Sequence, residues 1–214
     1  MLRSTRLSLV ALAATLAAGG CAPRAGSLGG APAPARLPRA QLPPEPRRLD
    51  FRWEYRDGDL LARGDGVARI APPDSVRMDF FVDGGLGGGY ALLIGDQLYT
   101  PPGADAARRF LPPPPLLWAG LGRLAVPPAR DTTARVDGGV LRADIGSDPV
   151  WRVTFDGDRV ARLERIEGGR VLERVNRDSS GTVRYQHNLT QRSLSLTVTR
   201  SQRAPVFDAA IWNH

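Results

Sequence analysis

The chain has 214 residues, including 24 glycines, 19 prolines and one cysteine, and its 29 basic residues are all arginine. They outnumber the 22 acidic residues, which gives a formal net charge of +7. This composition excludes a disulfide framework, a multi-cysteine zinc site and lysine-dependent chemistry such as a P-loop or a Schiff base. With only two histidines, no metal site is expected, and the sequence predicts no cofactor.

The N-terminus predicts an export signal. Arg3 and Arg6 precede an apolar run at 7–18, which is shorter than the roughly 20 residues of a transmembrane helix. Small residues then lead to Cys21, the only cysteine. The pattern resembles a bacterial lipoprotein signal, which implies removal of residues 1–20 and a palmitate-type lipid anchor on Cys21. Ordinary cleavage beside an unmodified cysteine is the open alternative.

Residues 21–48 are predicted to form a proline-rich tether. The prolines remove amide donors and favour polyproline II, and few residues here would bury apolar surface. Fully extended, the segment would reach roughly 80 Å. Ala22 is not the aspartate that retains enteric lipoproteins at the inner membrane, so this resemblance implies the periplasmic face of the outer membrane. No basic run extends beyond Arg47-Arg48, and nucleic acid is not expected as a partner.

From residue 49 onward the sequence predicts antiparallel strands. Apolar and polar residues alternate, as at Phe51, Trp53 and Tyr55, and Asp-Gly or Gly-Gly pairs separate the runs. Turns at intervals of about 8–12 residues favour a barrel or sandwich over alternating helices and strands. The predicted strands are 50–57, 60–71, 75–83, 89–94, 97–100, 132–137, 140–146, 149–156, 159–167, 170–177, 182–188 and 193–200.

Helices are predicted only in the middle of the chain. Pro114–Leu124 is the longest candidate, because proline suits a first helical turn and leucines follow near helical spacing. A shorter turn is predicted at 104–110, and 205–212 is expected to dock a terminal segment. The predicted fold is mainly β: a large curved antiparallel sheet forms an unclosed barrel in one domain, 49–214. One or two short helices would cap its concave face.

This order of elements is similar to that of the LolA/LolB family of lipoprotein carriers and receptors, whose fold is an unclosed antiparallel barrel capped by helices. The resemblance covers residues 51 to about 200. It rests on four stretches, ARGDGVAR (62–69), VRMDF (76–80), GLGGG (85–89) and LPPPPLLWAG (111–120).

The family resemblance also implies a role for one loop. In LolB, a loop that follows a Pro-Leu-Gly pattern exposes a leucine that helps to pass lipoproteins to the membrane. Leu86 is the matching position, with Gly85 in place of the proline. Because the glycine-rich segment continues into a strand rather than a helix, a phosphate loop is disfavoured and a flexible hairpin is favoured. Leu86 is thus predicted to lie in a hairpin that touches the membrane or a client protein.

The apolar positions are consistent with a cavity between sheet and helix that binds lipid or lipoprotein acyl chains. A filled core is the open alternative. The chain would then be a structural envelope lipoprotein that binds a protein partner through the arginine-rich faces around Arg152, Arg162, Arg165, Arg174 and Arg184. The predicted cavity residues are Trp53, Tyr55, Met78, Phe80, Leu92, Leu116, Leu117, Trp118, Leu121, Val153 and Phe155.

No catalytic residue is predicted. The sequence has no Gly-x-Ser-x-Gly nucleophile elbow and no calcium loop, and His187 is the one interior histidine. The acidic residues fall on polar strand faces or in turns, and none forms a recognisable pair. We therefore expect a binding or structural protein rather than an enzyme.

Overall fold

The computed structural model describes residues 22–85, 87–103 and 108–213. The predicted export signal, Cys21, Leu86 and most of the predicted turn at 104–110 lie outside the described residues.

Thirteen strands of the described residues form one antiparallel sheet. The strands are β1 (Ala31–Ala33), β2 (Arg47–Asp57), β3 (Leu60–Ala71), β4 (Ser75–Val82), β5 (Gly88–Ile94), β6 (Gln97–Tyr99), β7 (Thr133–Asp137), β8 (Val140–Ile145), β9 (Val150–Asp156), β10 (Arg159–Glu167), β11 (Arg170–Arg177), β12 (Thr182–His187) and β13 (Arg192–Arg203). Their spatial order is β1-β7-β8-β9-β10-β11-β12-β13-β2-β3-β4-β5-β6, with β1 and β6 at the two edges. The sheet is not closed, which confirms the predicted fold class.

The hairpins divide the sheet into two ends. One end, which we call the upper end, carries the turns β2–β3, β4–β5, β8–β9, β10–β11 and β12–β13. The lower end carries the turns β3–β4, β5–β6, β7–β8, β9–β10 and β11–β12. Because antiparallel neighbours reverse direction at each turn, residues far apart in sequence meet at the same end.

The short helix α1 (Pro114–Gly120) lies on the concave face of the sheet and joins two apolar clusters. Leu116 and Ala119 pack in the cluster that includes residues of β7–β13. Leu117 and Trp118 pack in the cluster that includes residues of β2–β5. The helix therefore fills the middle of the trough that the curved sheet leaves open.

The helix is shorter than the predicted span 114–124, because the chain closes it with a Schellman motif. Gly122 has a φ of 90°, a left-handed conformation that glycine adopts without steric cost. The Arg123 N–H donates to the Trp118 carbonyl at 2.9 Å, and the Gly122 N–H donates to that of Ala119 at 2.9 Å. These two bonds satisfy the Trp118 and Ala119 carbonyls and end the helix at Gly120.

The proline-rich segment, which the sequence predicted as a tether separate from the folded domain, makes contacts with the domain. Val171 N–H donates to the Pro23 carbonyl at 2.9 Å, and Ala25 N–H donates to the Gly169 carbonyl at 2.9 Å. Farther along, β1 pairs with β7 and forms one edge of the sheet. Polyproline II is an extended conformation, so a proline-rich chain can lie beside a strand and cover its edge.

Buried apolar residues fix the end of this N-terminal segment. Ala40 and Leu42 are 3% and 7% exposed and belong to the two apolar clusters. The Leu124 N–H donates to the Ala40 carbonyl at 3.0 Å. The burial of these few apolar residues was not predicted, because they are scattered among prolines and show neither the strand nor the helix period.

The C-terminal residues lie against β4. A 3₁₀ turn at Ala209–Trp212 begins where the Asp208 carboxylate accepts a hydrogen bond from the Ala210 N–H at 2.8 Å. The Arg77 Nη1 donates to the Ile211 carbonyl at 3.1 Å. Arg77 lies on the face of β4 opposite Met78, so this segment covers the outer side of the sheet.

Candidate functional site

An apolar pocket of about 290 Å³ opens at the upper end of the sheet. The walls come from β2, β3, β4, β5 and β13, together with the loop before α1. Its lining residues are Trp53, Tyr55, Ala62, Phe80, Val82, Gly88, Gly89, Tyr90, Phe110, Leu111 and Leu194. We call it the upper pocket.

A missing side chain on β5 leaves part of this space empty. Gly89 pairs with Phe80 across β4 and β5, so both residues lie on the concave face. A Cβ added at Gly89 would meet no heavy atom within 4 Å, and its φ is not in the left-handed region. By contrast, a Cβ added at Gly88 would lie 2.4 Å from the Phe80 carbonyl oxygen. Gly89 is thus required neither by backbone conformation nor by close packing.

The loop before α1 closes one side of the upper pocket. The Arg192 Nη1 donates to the Arg109 carbonyl at 2.9 Å, which fixes this loop to the start of β13. The ring of the next residue, Phe110, lies 4.4 Å from that of Tyr55, measured between centroids. The loop therefore adds two apolar side chains, Phe110 and Leu111, to a wall that the sheet alone would leave open.

A second, smaller cavity lies beneath α1 and has a volume of about 50 Å³. For comparison, an engineered cavity of about 150 Å³ is large enough for benzene. The core below the helix is therefore almost filled. Leu194 lines both the core cavity and the upper pocket, so the two spaces adjoin.

The predicted cavity residues fall into three groups. Those that line the upper pocket are Trp53, Tyr55 and Phe80. Those that line the core cavity are Met78, Leu116, Leu117 and Leu121. Those that line neither space and are packed in the interior are Leu92, Trp118, Val153 and Phe155.

Leu92 lies on the opposite face of the sheet from the other predicted residues. Its neighbours Ala91 and Leu93 face the concave side and belong to a core cluster. Leu92 pairs with Arg77 and Tyr99 across β4 and β6. It is nevertheless fully buried, and its cross-strand neighbour Arg77 hydrogen bonds to the C-terminal segment on this side of the sheet.

A polar network that the sequence analysis missed lies on the concave face toward the upper end. Glu173 is 3% exposed, and its two carboxylate oxygens accept hydrogen bonds from different donors. The Tyr185 hydroxyl donates to Oε1 at 2.6 Å, and the Arg165 Nη1 donates to Oε2 at 2.7 Å. The signal in the sequence was the alternation of β11, which places Glu173 on the same face as Val171 and Val175.

Burial shifts the acid–base behaviour of this network. Burial, together with the hydrogen bond to Glu173 and its charge, raises the pKa of Tyr185 well above its ordinary value. Burial, followed by the hydrogen bond to Asp57, also raises the pKa of Tyr55. The pKa of His187 is lowered, mainly because burial disfavours its charged form. All three shifts favour neutral side chains at the upper end.

The raised pKa of Tyr185 predicts a loss of stability at high pH. Tyrosine in the unfolded chain ionises near pH 10, whereas Tyr185 in the folded protein stays neutral to higher pH. The contribution of Tyr185 to the free energy of unfolding is therefore complete below about pH 10 and falls as the pH rises above that value. Tyr185→Phe should flatten this decline and should cost about 1–2 kcal/mol at neutral pH, because Glu173 loses a donor. Urea unfolding between pH 8 and 11 measures both effects. Equal pH slopes for the two proteins would contradict the assignment.

Within the described residues, no group of three or more histidine, cysteine, aspartate or glutamate side chains could hold a metal ion. In the same described part of the chain, no helix has the length and apolar character needed to cross a bilayer.

No protein-family model and no curated protein matches the sequence. Solved structures do match. A LolA superfamily protein from Nitrosomonas europaea aligns with a TM-score of 0.51 over 82% of this chain and 93% of that chain, at 11% sequence identity. The chain has the LolA fold. This likeness confirms, for the fold, the resemblance seen in the sequence.

Two further structures are also similar to this chain. One is described as an outer membrane lipoprotein-sorting protein domain from Vibrio parahaemolyticus, with a TM-score of 0.46, 9% identity, and coverage of 79% of this chain and 89% of that chain. The other is a DUF1329 family protein from Desulfovibrio piger, with a TM-score of 0.41, 8% identity, and coverage of 79% and 90%. In the LolA fold of the present chain, the upper pocket is larger than the core cavity.

Proposed function

We propose that this chain is a non-catalytic, lipid-anchored envelope lipoprotein that binds lipid or lipoprotein acyl chains in the upper pocket. The observation that carries the proposal is a mostly apolar pocket of about 290 Å³ in a LolA fold. Each methylene buried there would contribute roughly 0.8 kcal/mol. A segment of acyl chain would thus bind without any covalent step, in keeping with a role in lipoprotein localisation.

The position of the first described residues supports anchoring at the same end as the pocket. Ala22 is buried, the Pro23 carbonyl accepts a hydrogen bond from Val171 near the start of β11, and the Ala25 N–H donates to Gly169 in the β10–β11 turn at the upper end. Cys21 is joined to Ala22 by one peptide unit, a Cα separation of about 3.8 Å. A lipid on Cys21 would hold the upper end close to the membrane, at the periplasmic face of the outer membrane.

Exposed apolar side chains at the upper end support the same orientation. Leu60 and Leu61, in the β2–β3 hairpin, are 50% and 49% exposed, and Leu189, in the adjacent β12–β13 turn, is 48% exposed. Phe81, near the end of β4, is 54% exposed. The connection that follows β4 contains Leu86, for which we propose contact with the membrane or a client. These side chains would meet the bilayer surface around the mouth of the pocket.

The alternative is a scaffolding lipoprotein with a filled core that binds a protein partner. The small core cavity favours this alternative for the region below α1. The arginines expected to face such a partner are, however, engaged with side chains of the same sheet. These contacts are Arg152–Asp144, Arg162–Asn176, Arg165–Glu173, Arg174–Gln186 and Arg184–Asp178.

Lipid analysis tests the proposed function. A soluble chain that begins at Ala22 keeps the docked N-terminal segment and can be purified without detergent from a host with membranes. We expect acyl lipid to copurify at about one molecule per chain, as measured by extraction and mass spectrometry. A folded, lipid-free protein that also fails to take up a fluorescent fatty acid would leave the scaffolding alternative. The mass of the N-terminal peptide of the full chain tests the lipid on Cys21.

A further inference from the structure

A pocket of about 170 Å³ at the lower end is lined by three arginines and by no carboxylate. Arg47 begins β2, Arg159 begins β10 and Arg177 ends β11, so the sheet brings three distant positions together. The N-terminal segment closes one side of this arginine pocket with Gln41 and Leu42.

None of these three arginines forms an ion pair in the described part of the chain. Arg47 Nη1 donates to the Ser201 hydroxyl at 3.3 Å, but its buried Nε has no hydrogen-bond partner. Arg177 Nη1 donates to the Gly120 carbonyl at 3.2 Å. Elsewhere in the sheet, arginines such as Arg152 pair with a neighbouring carboxylate. The arginine pocket departs from that pattern.

Two of these charges, on the half-buried Arg177 and the exposed Arg159, lie close enough to act on each other. Burial lowers the pKa of Arg177, and the charge of Arg159 lowers it further. The nearby Asp178 carboxylate offsets part of this effect, but it already accepts hydrogen bonds from Ser180 and Thr182. Guanidinium groups that lose water without gaining an anion are costly. An anion in the pocket would remove that cost.

We propose that the arginine pocket binds a phosphate group. A guanidinium matches phosphate oxygens with two parallel hydrogen bonds, and a phosphate monoester carries roughly −1.5 to −2 charges, which suits several arginines better than one carboxylate does. Gln41 and Ser201 add neutral polar groups to the lining. The assignment covers a free phosphate and the phosphate of a lipid headgroup, since both present the same oxygens.

The rest of the lining is compatible with both sources. Leu42, Leu49 and Ile70 form an apolar wall beside the arginines, which would tolerate the glycerol and first methylenes of a lipid. Leu49 and Arg177 also line the core cavity, so the two spaces adjoin. The site lies at the end opposite the upper pocket and does not depend on acyl-chain binding there.

Titration calorimetry on the full chain in neutral detergent tests the assignment. The probes are inorganic phosphate and dihexanoyl phosphatidic acid, in a phosphate-free buffer with about 0.15 M salt so that distant charges are screened. We expect saturable binding of at least one probe and a loss of at least tenfold in affinity for both Arg159→Gln and Arg47→Gln. The matched control is Arg170→Gln, which removes the same charge from the upper end and should leave affinity unchanged.

Each outcome decides the assignment. Binding of both probes with the expected loss supports a free phosphate ligand, and binding of the lipid alone with the same loss supports a headgroup. The proposal is overturned if neither probe binds at concentrations up to about 10 mM. It is also overturned if Arg170→Gln weakens binding as much as the pocket variants do, because that result would indicate general attraction of anions to a basic protein. Lipid binding that is unaffected by Arg159→Gln or Arg47→Gln also overturns it. Unchanged thermal midpoints show that the variants are folded.

Discussion

Replacing Gly89 by leucine is expected to weaken acyl-chain binding strongly while the domain stays folded. The new side chain would enter the upper pocket, because a Cβ at this position points into open space opposite Phe80. If it displaces about four ligand methylenes at roughly 0.8 kcal/mol each, affinity falls by about 3 kcal/mol, or roughly 100-fold. Fluorescent fatty-acid titration of the chain that begins at Ala22 measures this loss.

The stability of the same variant separates pocket filling from damage to the fold. Glycine in a strand interior is unfavourable, so Gly89→Leu should leave stability unchanged or raise it by up to about 1 kcal/mol. Gly29→Leu is the matched control, since a Cβ there also meets no atom within 4 Å and the residue lies in the N-terminal segment away from the pocket. Wild-type affinity in Gly89→Leu would show that the ligand does not occupy the upper pocket.

Trp118→Ala is expected to destabilise the domain strongly, with a loss of about 3–5 kcal/mol in the free energy of unfolding. Trp118 is fully buried between α1 and the sheet, and its indole Nε1 donates to the Gly95 carbonyl at 2.6 Å. The Arg123 guanidinium lies 4.5 Å from the ring centroid. Removing the indole leaves a cavity, an unpaired carbonyl and an arginine without its aromatic partner.

Chemical denaturation of Trp118→Ala measures this loss, with Trp212→Ala as the matched control. Trp212 packs on Phe207 at the C-terminus, with ring centroids 6.2 Å apart, and is not fully buried. We expect the control to lose less than about 1.5 kcal/mol. Comparable losses in both variants would contradict the central position assigned to Trp118. If α1 also supports the loop that carries Phe110, fatty-acid uptake should fall in Trp118→Ala alone.

The strand positions were predictable because the signals for them are local. Alternation such as Phe51, Trp53 and Tyr55 marks one buried face, and Asp-Gly or Gly-Gly pairs mark the turns, so most predicted strands agree with the structure within one or two residues. The end of α1 could also have been predicted from the sequence. Gly122 is the glycine expected just beyond a helix, and the prediction extended the helix past it to residue 124.

The face of β5 was not predictable from its own residues. Ala91, Leu92 and Leu93 form a continuous apolar run, which carries no period-two signal. Both faces of the strand are buried, since Ala91 and Leu93 face the core and Leu92, on the other face, is also fully buried. The sequence therefore predicts Leu92 in the cavity, whereas in the structure it lies on the opposite face of the sheet.

The strand positions, the mainly β class, the position of the helix and the resemblance to the LolA fold can be inferred from local features of the chain, because each depends on local periodicity or short motifs. The location of the space that remains between side chains could not be inferred in this way, because it depends on tertiary packing. The core cavity below α1 is nearly filled, whereas the upper pocket stays open beside Gly89. Packing depends on contacts between residues that are distant in sequence, as at Glu173 and in the arginine pocket. Such contacts leave no local pattern in the chain.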